Sequence, residues 1–221
     1  MNVLIVAAHT DDEVIGCAGT IARHVAAGDT VNIVYMADGV TSRDGYQNEE
    51  LLLRQKAATE AQAVLGCSNV FSLGFPDNKM DTLSILDVVK PLEEIIQEFK
   101  PVSVYTHHYG DLNVDHRVTH QAVMTACRPL PGSSVKQIYT FEVMSSTEWA
   151  SPGNLPFLKN YYVDISAFMG MKREALNAYA LEMREAPHSR SIENIMYLAQ
   201  HNGHCVGVDA AEAFMLMRYI I

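Results

Sequence analysis

Cysteines at metal-ligand or redox spacing are missing from this sequence. Its four, Cys17, Cys67, Cys127 and Cys205, stand far apart. That excludes a cysteine zinc site and a thioredoxin-type motif. It fits a reducing, cytoplasmic compartment, with each thiol serving as a small buried hydrophobe. No apolar run reaches 18 residues, so no transmembrane helix is expected. The opening MNVLIVAAHTDDE lacks a basic segment and turns polar after Ala8, unlike a secretory signal. Positive charge is scarce, with 16 Lys+Arg against 26 Asp+Glu and a formal net charge of -10. A general nucleic-acid binder needs the opposite balance. Internal repeats and Gly-, Ser- or Pro-rich linkers are also absent. What is present is a chain of 221 residues, 48% hydrophobic and 19% charged. That composition excludes disorder as the dominant state. A single domain spanning 1–221 is expected, long enough to bury a core without disulfides or a structural metal.

Residues 3–8, Val-Leu-Ile-Val-Ala-Ala, form a continuous apolar run. Such a run reads as a strand buried on both faces. A helix over about 13–27 follows, ended by Gly28, and then a strand at 31–36. A helix at 48–65, a short strand at 70–73 and a helical stretch at 83–99 come next. Pro91 interrupts that stretch and reads as the first position of a helix running to Phe99. A strand at 102–106 and a helix at 115–127 complete the alternation. The spacing predicts an α/β fold, a mostly parallel, doubly wound sheet with helices on both faces. Beyond 127, strands are expected near 136–144, 159–165 and 213–221, and helices near 167–184 and 190–202.

Polar residues concentrate after two of these strands. His9, Asp11, Asp12 and Glu13 follow the first; His107, His108, Asp111, Asn113, Asp115 and His116 follow the fourth. A 3-2-1-4 strand order would bring both groups into the crevice at the switch point, where such sheets bind ligands. Carboxylates resist desolvation. A divalent metal would neutralise them, and His plus carboxylate ligands suit catalytic zinc. Taken one at a time these residues have plainer readings: Asp12 and Asp115 both stand where a helix N-cap would.

The segment AAHTDDEVIGCAGTIARH resembles the first signature of the PIG-L/LmbE-like deacetylases, and THHYGDLNVDHR resembles the second. LGFPDNKMDT and APHSRS are also similar to segments of that family. The resemblance implies a Rossmann-like fold and a metal-dependent enzyme, usually zinc, with other divalent ions open. The implied reaction removes acetyl groups from N-acetylglucosamine-type sugars. Carried over, it implies His9, Asp12 and His116 as metal ligands and Asp11 as general base. Asp115 matches a residue that hydrogen-bonds within the site, and Arg54 one that holds substrate. Two positions depart from the pattern. Thr10 stands where proline is usual. Asn113 stands where several members carry a histidine that steadies the oxyanion. An Asn amide can donate a hydrogen bond but cannot supply a proton. His107, His108 and His188 are then the candidate acids, with His108 and His188 on the substrate side.

Acetamide hydrolysis needs an activated water, an oxyanion partner and a proton for the leaving nitrogen. Zinc and Asp11 would serve the first and third, and Asn113 the second. His120, four residues after His116, imitates half of an H-x-x-x-H site but lacks its Glu, so a supporting or surface role is expected. Trp149 and Tyr109 are candidates for stacking on a sugar. The expected partner is a small N-acetylated sugar, without nucleic acid; a homo-oligomer is left open. Alternatives are an amidase of the same superfamily acting on another amide, or a catalytically silent metal- or sugar-binding protein. A nucleotide-binding Rossmann protein is disfavoured, because no G-x-G-x-x-G follows the first strand.

Overall fold

The computed structural model describes residues 1–42, 48–151, 153 and 155–221. In chain order the elements are β1 (Asn2–Ala7), α1 (Asp12–Ala26), β2 (Thr30–Ala37), α2 (Asn48–Leu65), β3 (Asn69–Phe75), α3 (Ile85–Phe99), β4 (Ser103–His107), α4 (Val114–Ala126), β5 (Gln137–Phe141), β6 (Tyr161–Asp164), α5 (Met169–Ala178), α6 (Ile192–Val206) and β7 (Ala211–Tyr219). The strands form one sheet in the order β3-β2-β1-β4-β5-β7-β6. β1 to β5 are parallel; β7 runs antiparallel to β5, and β6 antiparallel to β7. This is the α/β, Rossmann-like arrangement expected, including the order 3-2-1-4.

The apolar run of β1 is buried on both sides. Val3, Ile5 and Ala7 pack in a cluster with residues of α1, α2, α5 and α6. Leu4 and Val6 face the other layer, with Val88, Val89 and Leu92 of α3 and Ala122 and Val123 of α4. Period-2 alternation thus sends successive side chains into two cores, each apolar. After β3 the chain crosses back past β1 to β4, so the crevice opens between the carboxyl ends of β1 and β4.

Several local features differ from the sequence expectation. α3 starts at Ile85 and runs through Pro91 without restarting. Ser84 caps it, accepting from the Asp87 N–H, and Val88, Leu92 and Ile96 bury one stripe at i, i+4 spacing. Packing along that stripe outweighs the one hydrogen bond that proline removes. The expected helix at 167–184 ends at Ala178. The residues beyond turn away because Tyr179 and Glu182 have partners elsewhere, Glu13 and Arg54. Of the cysteines, Cys17 and Cys127 are buried as expected, whereas Cys67 is half-buried and Cys205 exposed.

α1 is broken at Cys17, whose φ of -149° is not helical. The freed backbone groups meet a buried ion pair. Gly19 N–H and Thr20 N–H donate to Glu212 at 2.9 and 2.7 Å. Lys172 Nζ donates to the carbonyls of Val14 and Ile15 at 3.1 and 3.0 Å, and to Glu212 at 2.7 Å. Glycine at 16 lets this helix sit close to the sheet, since a Cβ there would lie 2.5 Å from the Phe141 ring. The break directs the first turns of α1, with Asp12, at the crevice. No helix among the described residues is long and apolar enough to cross a membrane.

Candidate active site

Asp11 precedes α1 with φ 104°, a left-handed conformation that non-glycine residues rarely hold. Strain of this kind costs about 1–3 kcal/mol and concentrates at functional sites. It separates the two neighbouring carboxylates. Asp12 turns inward, where its Oδ2 accepts the His9 backbone N–H at 2.8 Å. The same oxygen lies 3.4 Å from His9 Nδ1 and 3.4 Å from His116 Nε2. Asp11 instead meets Arg190, Nη1 to Oδ2 at 3.1 Å.

Each of these imidazoles is backed by carboxylate on its far nitrogen. His9 Nε2 lies 3.0 Å from Asp115 and 3.1 Å from Asp77. His116 Nδ1 lies 3.2 Å from Asp111 Oδ1. Asp111 is itself fixed by the hydroxyls of Ser146 and Thr147. Asp115 accepts the backbone N–H groups of Asn78 and Met80 at 2.6 and 3.0 Å. That ties β4's following helix to the loop after β3. Histidine held between a metal position and a carboxylate is the usual support for a metal ligand.

Ligand atoms of His9, Asp12 and His116 all lie within 4.8 Å of one another, and all three residues are buried. The donor set fits a divalent cation of the kind that takes nitrogen and oxygen ligands. His9, Asp77 and Asp115 also lie within that distance. There Asp115 already accepts two backbone N–H groups, so this second trio acts as a brace for His9.

The charges show how strongly the site demands a cation. Burial pushes the His116 imidazole down, yet Asp12 and Asp111 lift it to about 9. His9 is raised likewise, against burial, by Asp115, Asp12 and Asp77. Asp77, which burial would raise, is drawn down to about 2 by His9 and Ser42. Asp11 goes the other way. Burial lifts it to about 6, Arg190 opposing and Asp12 assisting. Glu13, buried beneath, is raised by burial to about 7, while the hydroxyls of Tyr35 and Tyr179 draw it down.

A cavity of about 210 Å³ opens onto His9, Asp11, Asp12 and His116. Arg54 and Asn113 also line it, with Asp77, Glu182, Arg184 and Arg190. Arg54 is buried in a two-point pair with Glu182, Nε–Oε1 2.9 Å and Nη2–Oε2 2.6 Å. Asn113 is the N-cap of α4. Its Oδ1 accepts the Asp115 N–H at 2.8 Å and its Nδ2 donates to Asn78 at 3.2 Å.

Three expected histidines are not brought to the cavity. His107 faces the crevice from below, accepting the Ala8 N–H on Nε2 at 2.8 Å. It is fully buried, and burial lowers it, so it stays neutral with no route to a ligand. His108 follows it in the chain and therefore points the other way, to the Leu155 carbonyl at 2.8 Å. It is a packing residue beside Tyr109 and Phe157, which corrects the substrate-side expectation. His188 accepts the Arg190 N–H on Nδ1 at 3.0 Å and stands against Trp149, so it shapes the turn that carries Arg190. His120 bonds the His107 carbonyl, a supporting contact. Asp77 and Arg190 had no role in the sequence reading, although both lie in segments it singled out, LGFPDNKMDT and APHSRS. Glu182 carries no local signal; only its approach to Arg54 reveals it.

A buried two-His, one-Asp donor set with a separate carboxylate beside it, at the switch point of such a sheet, is the equipment of a metal-dependent hydrolase. The chain belongs to the PIG-L family: residues 4–127 match the family model described as PIG-L, GlcNAc-PI de-N-acetylase. It is 32% identical over 155 residues to the uncharacterized deacetylase YaiS of Escherichia coli (strain K12), across 68% of this chain and 77% of that one. The N,N'-diacetylchitobiose deacetylase from Pyrococcus horikoshii is a structural neighbour at TM-score 0.78 and 24% identity, covering 98% of this chain and 84% of the other. GalB, the 4-carboxy-2-hydroxymuconate hydratase from Pseudomonas putida KT2440, matches at TM-score 0.78 and 18% identity, over 100% and 97%. At those identities the two structures share the fold with this chain. That one is a hydratase means the reaction has to be argued from the site.

Proposed function

We propose that the protein is a zinc-dependent N-deacetylase acting on an N-acetylglucosamine-containing small molecule or glycoconjugate. The observation that carries this is the split between the adjacent carboxylates: Asp12 among the imidazoles, Asp11 turned aside onto Arg190. His9, Asp12 and His116 would hold the zinc. Bound there, it supplies Lewis acidity toward the amide carbonyl and the attacking water.

The chain's own residues do the rest. Asp11 takes a proton from the attacking water and returns it to the departing nitrogen, so acetic acid and a free amine leave, the acid then ionising to acetate. A carboxylate that stands beside the ligands and not among them is free for both halves of that exchange. Asp115 and Asp77 fix the His9 ring, and Asp111 fixes His116. Arg54, held rigid by Glu182, offers its charge to the substrate at the cavity wall. Asn113 keeps α4 capped at the rim. We place the activity in the cytoplasm, with the 221 residues working as one domain.

The test is zinc analysis of the purified protein with an acetate-release screen over N-acetylglucosamine derivatives. Near one zinc per chain and acetate from at least one sugar are expected. Full zinc without acetate would favour a silent binder. Release from non-sugar amides alone would favour an amidase of the same superfamily.

A further inference from the structure

We infer that Arg190 is a catalytic residue that holds Asp11 with one guanidinium nitrogen and offers the other to the oxygen that becomes negative when the amide carbonyl is attacked. This rests on the deacetylase reading above. The expected oxyanion partner, Asn113, is neutral and has one of its two amide hydrogens already engaged. Its Oδ1 caps α4 through the Asp115 N–H, and its Nδ2 donates to Asn78. Turning that amide toward a substrate would uncap the helix that carries His116.

Arg190 has the opposite arrangement. It comes from the loop between α5 and α6 and lines the same cavity as Asp11 and His9. Its side chain is 21% exposed. Nε donates to Ser145 Oγ at 2.9 Å and more weakly to the Met144 carbonyl at 3.4 Å. Nη1 donates to Asp11 Oδ2 at 3.1 Å. These contacts fix the plane of the guanidinium. Among the described residues Nη2 has no hydrogen-bond partner. Arg54 is more deeply buried, its side chain 9% exposed and clamped at Nε and Nη2 by Glu182.

A donor fixed in place before charge develops favours the transition state over the substrate. Arginine keeps its proton throughout, so Arg190 steadies the oxygen and transfers nothing. The new C–O bond forms from water and the C–N bond breaks. One proton of the water travels through Asp11 to nitrogen, and the other stays on the new carboxyl group until that ionises.

The test compares wild type, Arg190→Met, Arg190→Lys and Ser145→Gly. The last removes only the hydroxyl that Nε donates to, and residue 145 sits at φ 68°, where glycine is unstrained. Zinc content, kcat and KM are measured on the best acetamido sugar. So is binding of glucosamine carrying an N-methylphosphonyl group, a tetrahedral anion shaped like the attacked amide.

Arg190→Met should keep its zinc and lose roughly 10²–10³ in kcat, with KM within about threefold. Phosphonyl binding should weaken by a similar factor, and Arg190→Lys should recover part of both. Ser145→Gly should lose about 2–10-fold in each. Near-normal kcat in Arg190→Met overturns the inference. So does a fall in kcat with unchanged phosphonyl binding, which would leave Arg190 as a positioning residue for Asp11. Should the Arg190 variants fail to fold, unchanged phosphonyl binding in Ser145→Gly overturns it. A wild-type protein that releases no acetate from any sugar fails the deacetylase reading itself.

Discussion

Replacing Lys172 by methionine removes the cation from the break in α1 while keeping most of the side-chain volume. Lys172 is 1% and Glu212 4% exposed, so neither can turn to water. The variant leaves Glu212 charged and buried, though still accepting from Gly19 and Thr20. It also strands the carbonyls of Val14 and Ile15. Removing one partner of a buried pair costs about 3–5 kcal/mol. In a chain of this size each kcal/mol lowers Tm by about 2–4 °C, so a fall of about 6–20 °C is expected. The measurement is thermal unfolding of metal-free protein, since bound metal adds stability of its own. Glu212→Gln should also destabilise, because its amide nitrogen would face a backbone N–H. The double variant should lose less than the two singles combined, as coupled neighbours do. A Tm within about 2 °C of wild type for Lys172→Met would refute the claim that this pair holds the broken helix.

Three further outcomes are expected. His116→Ala should lose most of its zinc by elemental analysis, because one of three donors is gone; unchanged metal content would remove His116 from the ligand set. Asp11→Asn should keep its zinc while kcat falls by about 10²–10⁴, and near-normal turnover of the loaded variant would move the base elsewhere. Iodoacetamide at pH 8 should label Cys205 first in the folded protein. Cys205 is exposed, whereas burial lifts Cys67 and Cys127 to about 12 and Cys17 well above its ordinary value, leaving almost no reactive thiolate. Peptide mass spectrometry showing Cys17 or Cys127 labelled as fast would contradict that burial.

Much of the molecule was legible in the chain itself. Val3 to Ala8 read as a doubly buried strand because two apolar layers leave no polar alternation. The order of strands and helices followed from that period. The groups His9–Glu13 and His107–His116 were recognisable because each follows a strand, and strand ends are where such sheets expose chemistry. His9, Asp11, Asp12, Asp115, His116, Arg54 and Asn113 do converge on one crevice.

What the chain could not state was direction. That His107 faces Asp12 while His108 turns to Leu155 depends on the pleat at one residue. Asp11 parts from Asp12 only through a left-handed backbone that the surrounding fold enforces. Pro91 stays inside α3 because a buried stripe outweighs a lost hydrogen bond. Glu182, Arg190, Lys172 and Glu212 come from segments with no periodic signature of their role. Each acquires one by meeting a partner between 40 and 179 residues away in sequence. Local propensity and period act over a few residues and are written in the sequence. Pairings between distant buried charges exist only once the sheet has brought them together.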